Sequence, residues 1–197
     1  VKFSVAGNLG KIFVMLLAPA LGQVVPLIPL QILWLNLLTD GLLCLGMGVE
    51  PTEKGVMKRK PFPSDDHVFS EGGAWHVIEI GLLIGVLSLF LGAGYFFKGL
   101  PQWQTVLFTA LAFSQVGQAL AMRSSTESFF HIGFFSNRLM ASMVALVFVL
   151  QVMCIYLPAM QKILLTKPLN SIDFIVCVLA GGIVFTYIET RKSIRRR

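Results

Sequence analysis

The sequence predicts an all-α integral membrane fold, a six-helix transmembrane bundle of three hairpins with a discontinuous second helix. Three observations predict it. Hydrophobic residues make up 55% of the 197 and charged residues only 13%, with a mean hydropathy of +0.77. A soluble domain of this size needs a more polar surface. Six stretches come close to the roughly 20 apolar residues that carry a helix across the hydrocarbon. Finally, the breaks between these stretches are rich in turn formers or charge.

The first span covers residues 3–21 and ends at "GQVVP". The second covers 27–48 and contains Asp40-Gly41, a helix-weakening dipeptide. The discontinuity is expected there, because non-helical backbone at membrane depth survives only where protein or a cavity satisfies it. The charged segment "EPTEKGVMKRKPFPSDDHVFSEGG" leads to the third span at 74–97, and "KGLPQ" turns the chain into the fourth at 105–122. "RSSTESFFHIGFFSNR" precedes the fifth span at 139–158, and "LPAMQKILLTKPLN" separates it from the sixth at 171–189.

Lys and Arg set the orientation. With the N-terminus inside, the inside set is Lys2, Lys54, Lys58, Arg59, Lys60, Arg123, Arg138, Arg191, Lys192, Arg195, Arg196 and Arg197. Only Lys98, Lys162 and Lys167 fall outside, and Lys11 lies within a span. Both ends, the loops at 49–73 and 123–138 and the basic tail at 190–197 are therefore expected in the cytosol. The tail "RKSIRRR" reads as a topology signal or an anchor on anionic headgroups, and not as a nucleic-acid patch. Cys44, Cys154 and Cys177 fall inside spans without metal-site spacing and read as packing residues. The chain opens on Val with a span starting almost at once, so it reads as a piece of a longer protein.

Ionisable groups are costly in lipid, so each one inside a span needs a reason. Asn8 and Lys11 in the first span, Asn36, Thr39 and Asp40 in the second, and Gln115 and Gln118 in the fourth (with Ser114 beside them) recur at helical spacing. Each set shares one helix face, and three such faces turned inward make a polar cluster. Amides and hydroxyls also bond neighbouring helices for about 1 kcal/mol or less per contact, which is the plain alternative for Gln115 and Gln118. Asp40 asks for a cation, a proton or a basic partner; Lys11 is the basic candidate, and a purely structural pair is the plain alternative. Oxygen donors suit a hard cation such as Ca²⁺, whereas a soft metal favours Cys or His. Broken helices in transporters expose such groups to ions at the midplane. Glu79, near the start of the third span, is a secondary candidate that can equally reach the interface. His76, His131 and Gln151 read as solvated or bonded to neighbours, and Trp75 and Trp103 as interfacial aromatics.

Residues 24–62 contain "PLQILWLNLLTDG", "GVEP" and "VMKRKPF". This stretch resembles the region from the fifth to the seventh span of type II P-type ATPases. "FTALAFSQVGQALAMRSSTESFFHIGFFSNR" resembles the eighth span and following loop of the same pumps, particularly bacterial members related to calcium pumps. The resemblance covers essentially the whole chain, as spans five to ten. It implies a pump that moves cations with ATP through a phosphorylated aspartate, with ion ligands on the fourth, fifth, sixth and eighth spans. By motif, Asn8 matches a fifth-span ligand, Asn36, Thr39 and Asp40 match the sixth-span ligands, and Gln115 takes the place of the eighth-span acidic ligand. Gln118 stays a secondary candidate.

Two departures stand out. Lys11 occupies the place of a fifth-span Glu in two-ion calcium pumps, and Gln115 replaces a Glu. These changes suggest one Ca²⁺ per cycle with Lys11 as an internal counter-charge; a monovalent-cation pump is the alternative. With Asp40 alone here, the site needs a further carboxylate from the fourth span. The sequence has no "DKTGT" motif, so ATP and Mg²⁺ are expected only in the parent protein. Its partners are the lipid bilayer and the missing N-terminal portion, spans one to four with the cytosolic domains. The loop after the sixth span, with Glu50, Glu53 and "KRK", is expected to contact the phosphorylation domain. A stand-alone membrane subunit or regulatory remnant, and a passive channel or secondary transporter with a titrating Asp40, are the competing classes. A prokaryotic plasma membrane is the expected location.

Overall fold

The computed structural model describes residues 1–23, 25–51, 73–124 and 127–195, and helices with short connections account for all of them. Helix α1, Lys2–Leu17, runs into a 3-10 turn at Pro19–Leu21. Pro19 has no N–H to continue the ladder, and Gly22 ends the turn at φ +80°, where other residues are strained. Helix α2, Pro29–Trp34, starts on a proline whose fixed φ suits the first helical position. Its ladder then widens to a π-helical segment, Leu35–Asp40, before continuing as α3, Gly41–Gly48.

Helix α4, Gly73–Phe97, and α5, Trp103–Ala121, form a hairpin turned at Gly99, φ +69°. The next connection holds the single turn α6, Phe129–Ile132, and a 3-10 turn at Phe134–Ser136. Asn137 then caps α7, Arg138–Tyr156, by accepting from the Met140 amide. Pro158 starts the short α8, Pro158–Leu164, and Asn170 caps the long α9, Ser171–Arg195, through the Asp173 amide at 2.7 Å.

Among the described residues, five stretches are long and apolar enough to cross a bilayer: Lys2–Leu21, Pro29–Gly48, Gly73–Phe97, Arg138–Tyr156 and Ser171–Ile194. The all-α membrane bundle expected from composition is therefore what forms, although the count of spans by length and apolarity is five. The expected span at 105–122 is α5, a helix of 19 residues that carries Thr105, Thr109, Ser114, Gln115 and Gln118, all buried. It does not need an apolar surface for lipid because other helices wrap it: Val106, Leu107, Phe108, Ala110, Leu111 and Ala112 are completely buried. The first turn of α1 and the last turns of α9 both reach the C-terminal end of α5. The Gln118 amide donates to the Phe3 carbonyl, and Lys192 donates to the carbonyl of Ala121.

Two expectations change. Packing does not follow the three sequence hairpins: α1 lies against α4, α5 against α9, and α3 against α7, with α4–α5 the hairpin whose helices pack extensively. The second helix is interrupted by widening over Leu35–Asp40 and not by unwinding at Asp40-Gly41; Gly41 keeps right-handed helical angles. An inserted π turn keeps backbone groups bonded, which unwinding in an apolar setting does not. Residues 52–72, with Glu53, Lys54, Lys58, Arg59 and Lys60, and the tail residues Arg196 and Arg197, lie outside the described residues. So do the loop contact and the "VMKRKPF" motif.

Backbone proximity sets the closest helix contact. A Cβ on Gly117 of α5 would sit 2.1 Å from the Gly181 carbonyl oxygen of α9, and one on Gly181 would sit 2.4 Å from the Phe113 carbonyl oxygen. Gly182, one residue on, has open space around it. Gly117→Ala and Gly181→Ala are each expected to cost about 3 kcal/mol, the upper end of overpacking. Gly182→Ala is expected to be neutral or slightly stabilising. Thermal denaturation of the purified protein in detergent separates the two classes, and equal melting of all three variants would contradict this contact.

Candidate cation site

Lys11 of α1, Asn36 and Asp40 of the π segment and Gln115 of α5 come together where the three elements meet. Lys11 is 4% exposed and extends from α1 toward the second span. Its Nζ donates to Asn36 Oδ1 at 2.5 Å and to Asp40 Oδ2 at 2.7 Å. Asn36 and Asp40 belong to the same widened segment, which presents an amide oxygen and a carboxylate to one ammonium. Asp40 is 6% exposed, so both members of the pair are removed from water. Such a pair holds because each charge satisfies the other; removing one leaves an uncompensated buried charge.

Helix α5 closes the other side. Gln115 reaches a gap at Gly7 of α1: a Cβ there would lie 3.1 Å from Gln115 Nε2 and 3.8 Å from Asp40 Oδ1. Gly7 thus lets the carboxylate and the amide approach the same point of α1. Several polar atoms here have no hydrogen-bond partner within the described protein. They are Asp40 Oδ1, both amide atoms of Gln115, and, on the same helix, Ser114 Oγ and Gln118 Oε1. An orphaned buried polar atom costs about 1–3 kcal/mol. Four of these atoms are acceptor oxygens, one of them a carboxylate, and oxygen is the donor type that hard cations take.

The remaining predicted residues are spread around this centre. Thr39 is buried in the π segment beside Asp40. Asn8 and Asn36 are exposed, and with Lys11, Ile12, Met15 and Ile32 they line an open groove of about 470 Å³ between α1 and the second span. Gln118 lies one turn along α5 from Gln115, donating to the Phe3 carbonyl at 3.2 Å. Glu79 is placed elsewhere, paired with Arg191 of α9 and accepting from the Tyr187 hydroxyl. Among the described residues no three His, Cys, Asp or Glu side chains come together. Sequence reasoning missed Gly7, because a glycine in an apolar helix gives no sign of what lies opposite it.

A family model described as "Cation transporting ATPase, C-terminus" matches residues 24–194. The chain belongs to this family. Among its relatives is the calcium-transporting ATPase of Bacillus subtilis, 34% identical over 200 residues that cover 100% of this chain and 22% of that protein. Calcium-transporting ATPase 1 of Saccharomyces cerevisiae is 33% identical over 180 residues, covering 87% of this chain and 18% of its own. The human calcium-transporting ATPase type 2C member 1 is 28% identical over 202 residues, covering 100% and 22%. The chain spans about a fifth of the length of these relatives. It is the C-terminal membrane region of a cation-transporting ATPase, as the resemblance to type II P-type pumps implied.

In this region of the ATPase, Lys11→Met leaves Asp40 buried without its cation and Asp40→Leu leaves Lys11 without its anion. Each is expected to destabilise by about 3 kcal/mol or more, while Lys11→Met with Asp40→Leu together costs less than either alone. Thermal melts of the three variants check this, and additive losses would show that the two charges do not depend on each other.

Proposed function

We propose that this region is the cation-translocating part of a P-type pump that exports Ca²⁺, one ion per cycle, with Lys11 as a resident counter-charge. The observation that carries the reading is the junction at Gly7: Asp40 gives one oxygen to Lys11 and keeps the other free beside the unpartnered Gln115 amide. Asn8, Asn36, Thr39, Asp40 and Gln115 are the ligands in this reading, with Gln118 one turn behind them. The printed names of the relatives, all calcium-transporting ATPases, support Ca²⁺ as the ion.

Lys11 accounts for the stoichiometry. Two unit charges of like sign about 4 Å apart repel by about 4 kcal/mol at an effective dielectric of 20, and a divalent ion doubles this. A second cation beside the ammonium is therefore strongly disfavoured. After the transported ion leaves, Lys11 swings its full charge onto Asp40, so the emptied site stays neutral without borrowing a proton. One carboxylate does not balance Ca²⁺, and the groove beside Asn8, Lys11 and Asn36 is the seat for the fourth span, which brings another. That span, the actuator and the ATP- and Mg²⁺-dependent phosphorylation machinery belong to the N-terminal portion that the longer relatives' length accommodates. Both ends lie in the cytosol of a prokaryotic plasma membrane in this reading; the meeting of α1 and α9 at one end of α5 supports their common side.

ATPase activity of the full-length protein, measured across Ca²⁺, Mn²⁺, Na⁺ and K⁺, tests the ion. Micromolar Ca²⁺ is expected to stimulate, and Asp40→Asn to abolish the response. Stimulation by a monovalent ion with indifference to Ca²⁺ would assign the pump to the monovalent class instead. Radioactive Ca²⁺ bound per phosphorylatable site tests the stoichiometry separately: one ion is expected in the wild type, rising toward two in Lys11→Glu. Two ions in the wild type would remove Lys11 from the role given to it.

A further inference from the structure

The two helices that meet at Gly7 are also tied together at the end of the bundle where α1 begins and Lys192 of α9 reaches α5. Glu50 follows the end of α3 by two residues, as Arg123 follows the end of α5. The Arg123 side chain is 1% exposed. Its Nη2 donates to Glu50 Oε1 at 2.7 Å and its Nε to the same oxygen at 3.0 Å. Nη1 donates to the Gly133 carbonyl at 3.0 Å, and Nη2 also reaches Ser136 Oγ at 2.6 Å. Asn137, which caps α7, completes the knot: its Nδ2 donates to Glu50 Oε2 at 2.8 Å and to the Gly46 carbonyl at 2.9 Å. Nothing in the ion reading uses these residues, and topology alone explains a surface arginine but not a buried, fully bonded one.

Packing shows what the knot contributes. Helix α3 rests mainly on α7, where a Cβ on Gly46 would stand 2.8 Å from Met140 Sδ, and touches α5 far less. Leu43 of α3 and Ala119 of α5 share one buried apolar cluster, and the forked guanidinium adds to that non-directional packing a directional tie between the ends of the two helices. Asp40 lies ten residues before Glu50 and Gln115 eight before Arg123, about 15 Å and about 12 Å along rigid helices at 1.5 Å per residue. A slide of α3 at the knot reappears at Asp40.

We propose that Arg123, with Glu50 as its counter-ion and Asn137 as a second tether, is a positioning residue for the cation site. It holds α3 and α5 in the register that sets the Asp40 carboxylate and the Gln115 amide at the same point of α1. This rests on the reading of that junction as the cation site. Losing the fork lets α3 shift along α5 and weakens cation binding without touching a ligand.

The test uses the full-length protein, with phosphorylation from ATP followed against the concentration of whichever cation activates the wild type. Arg123→Lys keeps the charge without the fork, and Glu50→Gln keeps the shape without the charge. Each is expected to raise the half-saturating concentration about tenfold, within the range by which a residue remote from a site modulates it, with the maximal phosphoenzyme level close to wild type. The double variant is expected to be no worse than the weaker single one, because both break one contact. Unshifted half-saturation in both variants, whatever happens to their melting temperatures, would reduce the knot to a fold anchor and overturn the proposal. Failure of the calcium reading shows itself differently, as another activating ion in the wild type, and the same shift is then read with that ion.

Discussion

A charge sealed among apolar helices has to be answered there, and the contact between Lys11 and Asp40 is where this protein meets that requirement. The geometry around it follows. The second span widens at Leu35–Asp40, so that Asn36 and Asp40 both reach the ammonium. Gly7 has no side chain, so that α5 brings Gln115 close. Because α5 spends its polar residues inward, the other helices have to surround it, and the glycine contact with α9 is the closest expression of that wrapping. One polar centre thus dictates which helix is central and which ones face lipid.

Much of this was legible in the chain because lipid leaves few options. Long apolar runs can only be helices there, so the all-α membrane class could be read from hydropathy. Lys11, Asn36 and Asp40 stood out for the same reason: a charge or amide in such a run has few innocent explanations, and helical spacing grouped them. What escaped depends on pairing between distant segments. Nothing local distinguishes a ladder that widens before Asp40 from one that unwinds at Gly41. That α1 packs on α4 and not on its sequence neighbour is decided by facing surfaces, with Gly10, Gly81 and Gly85 admitting the other backbone. Arg123 counted only as an inside charge, because the sequence does not say that Glu50, Gly133 and Ser136 converge on it.

The second span is held at both extremities and widened between them. At one end Gln31 donates to the Leu164 carbonyl at 2.9 Å, and Gln104 donates to the Val25 carbonyl at 2.6 Å. At the other end stand Arg123 and Asn137. A rod fixed at its ends and altered in the middle concentrates change where it is altered. Asn36, Thr39 and Asp40 lie in that part of it.

The wrapping of α5 also bears on how the protein is made. By composition α5 is the least suited of the long helices to enter lipid alone. Its hairpin partner α4 leaves the ribosome just before it, but α9, which covers Gly117 and its neighbours, is synthesised well after it. Until then the face of α5 that carries Val106, Ala110, Phe113 and Gly117 lacks the neighbour that buries it. Burial of that face is therefore a collective property of the bundle, supplied by a helix that the chain makes well after α5 itself.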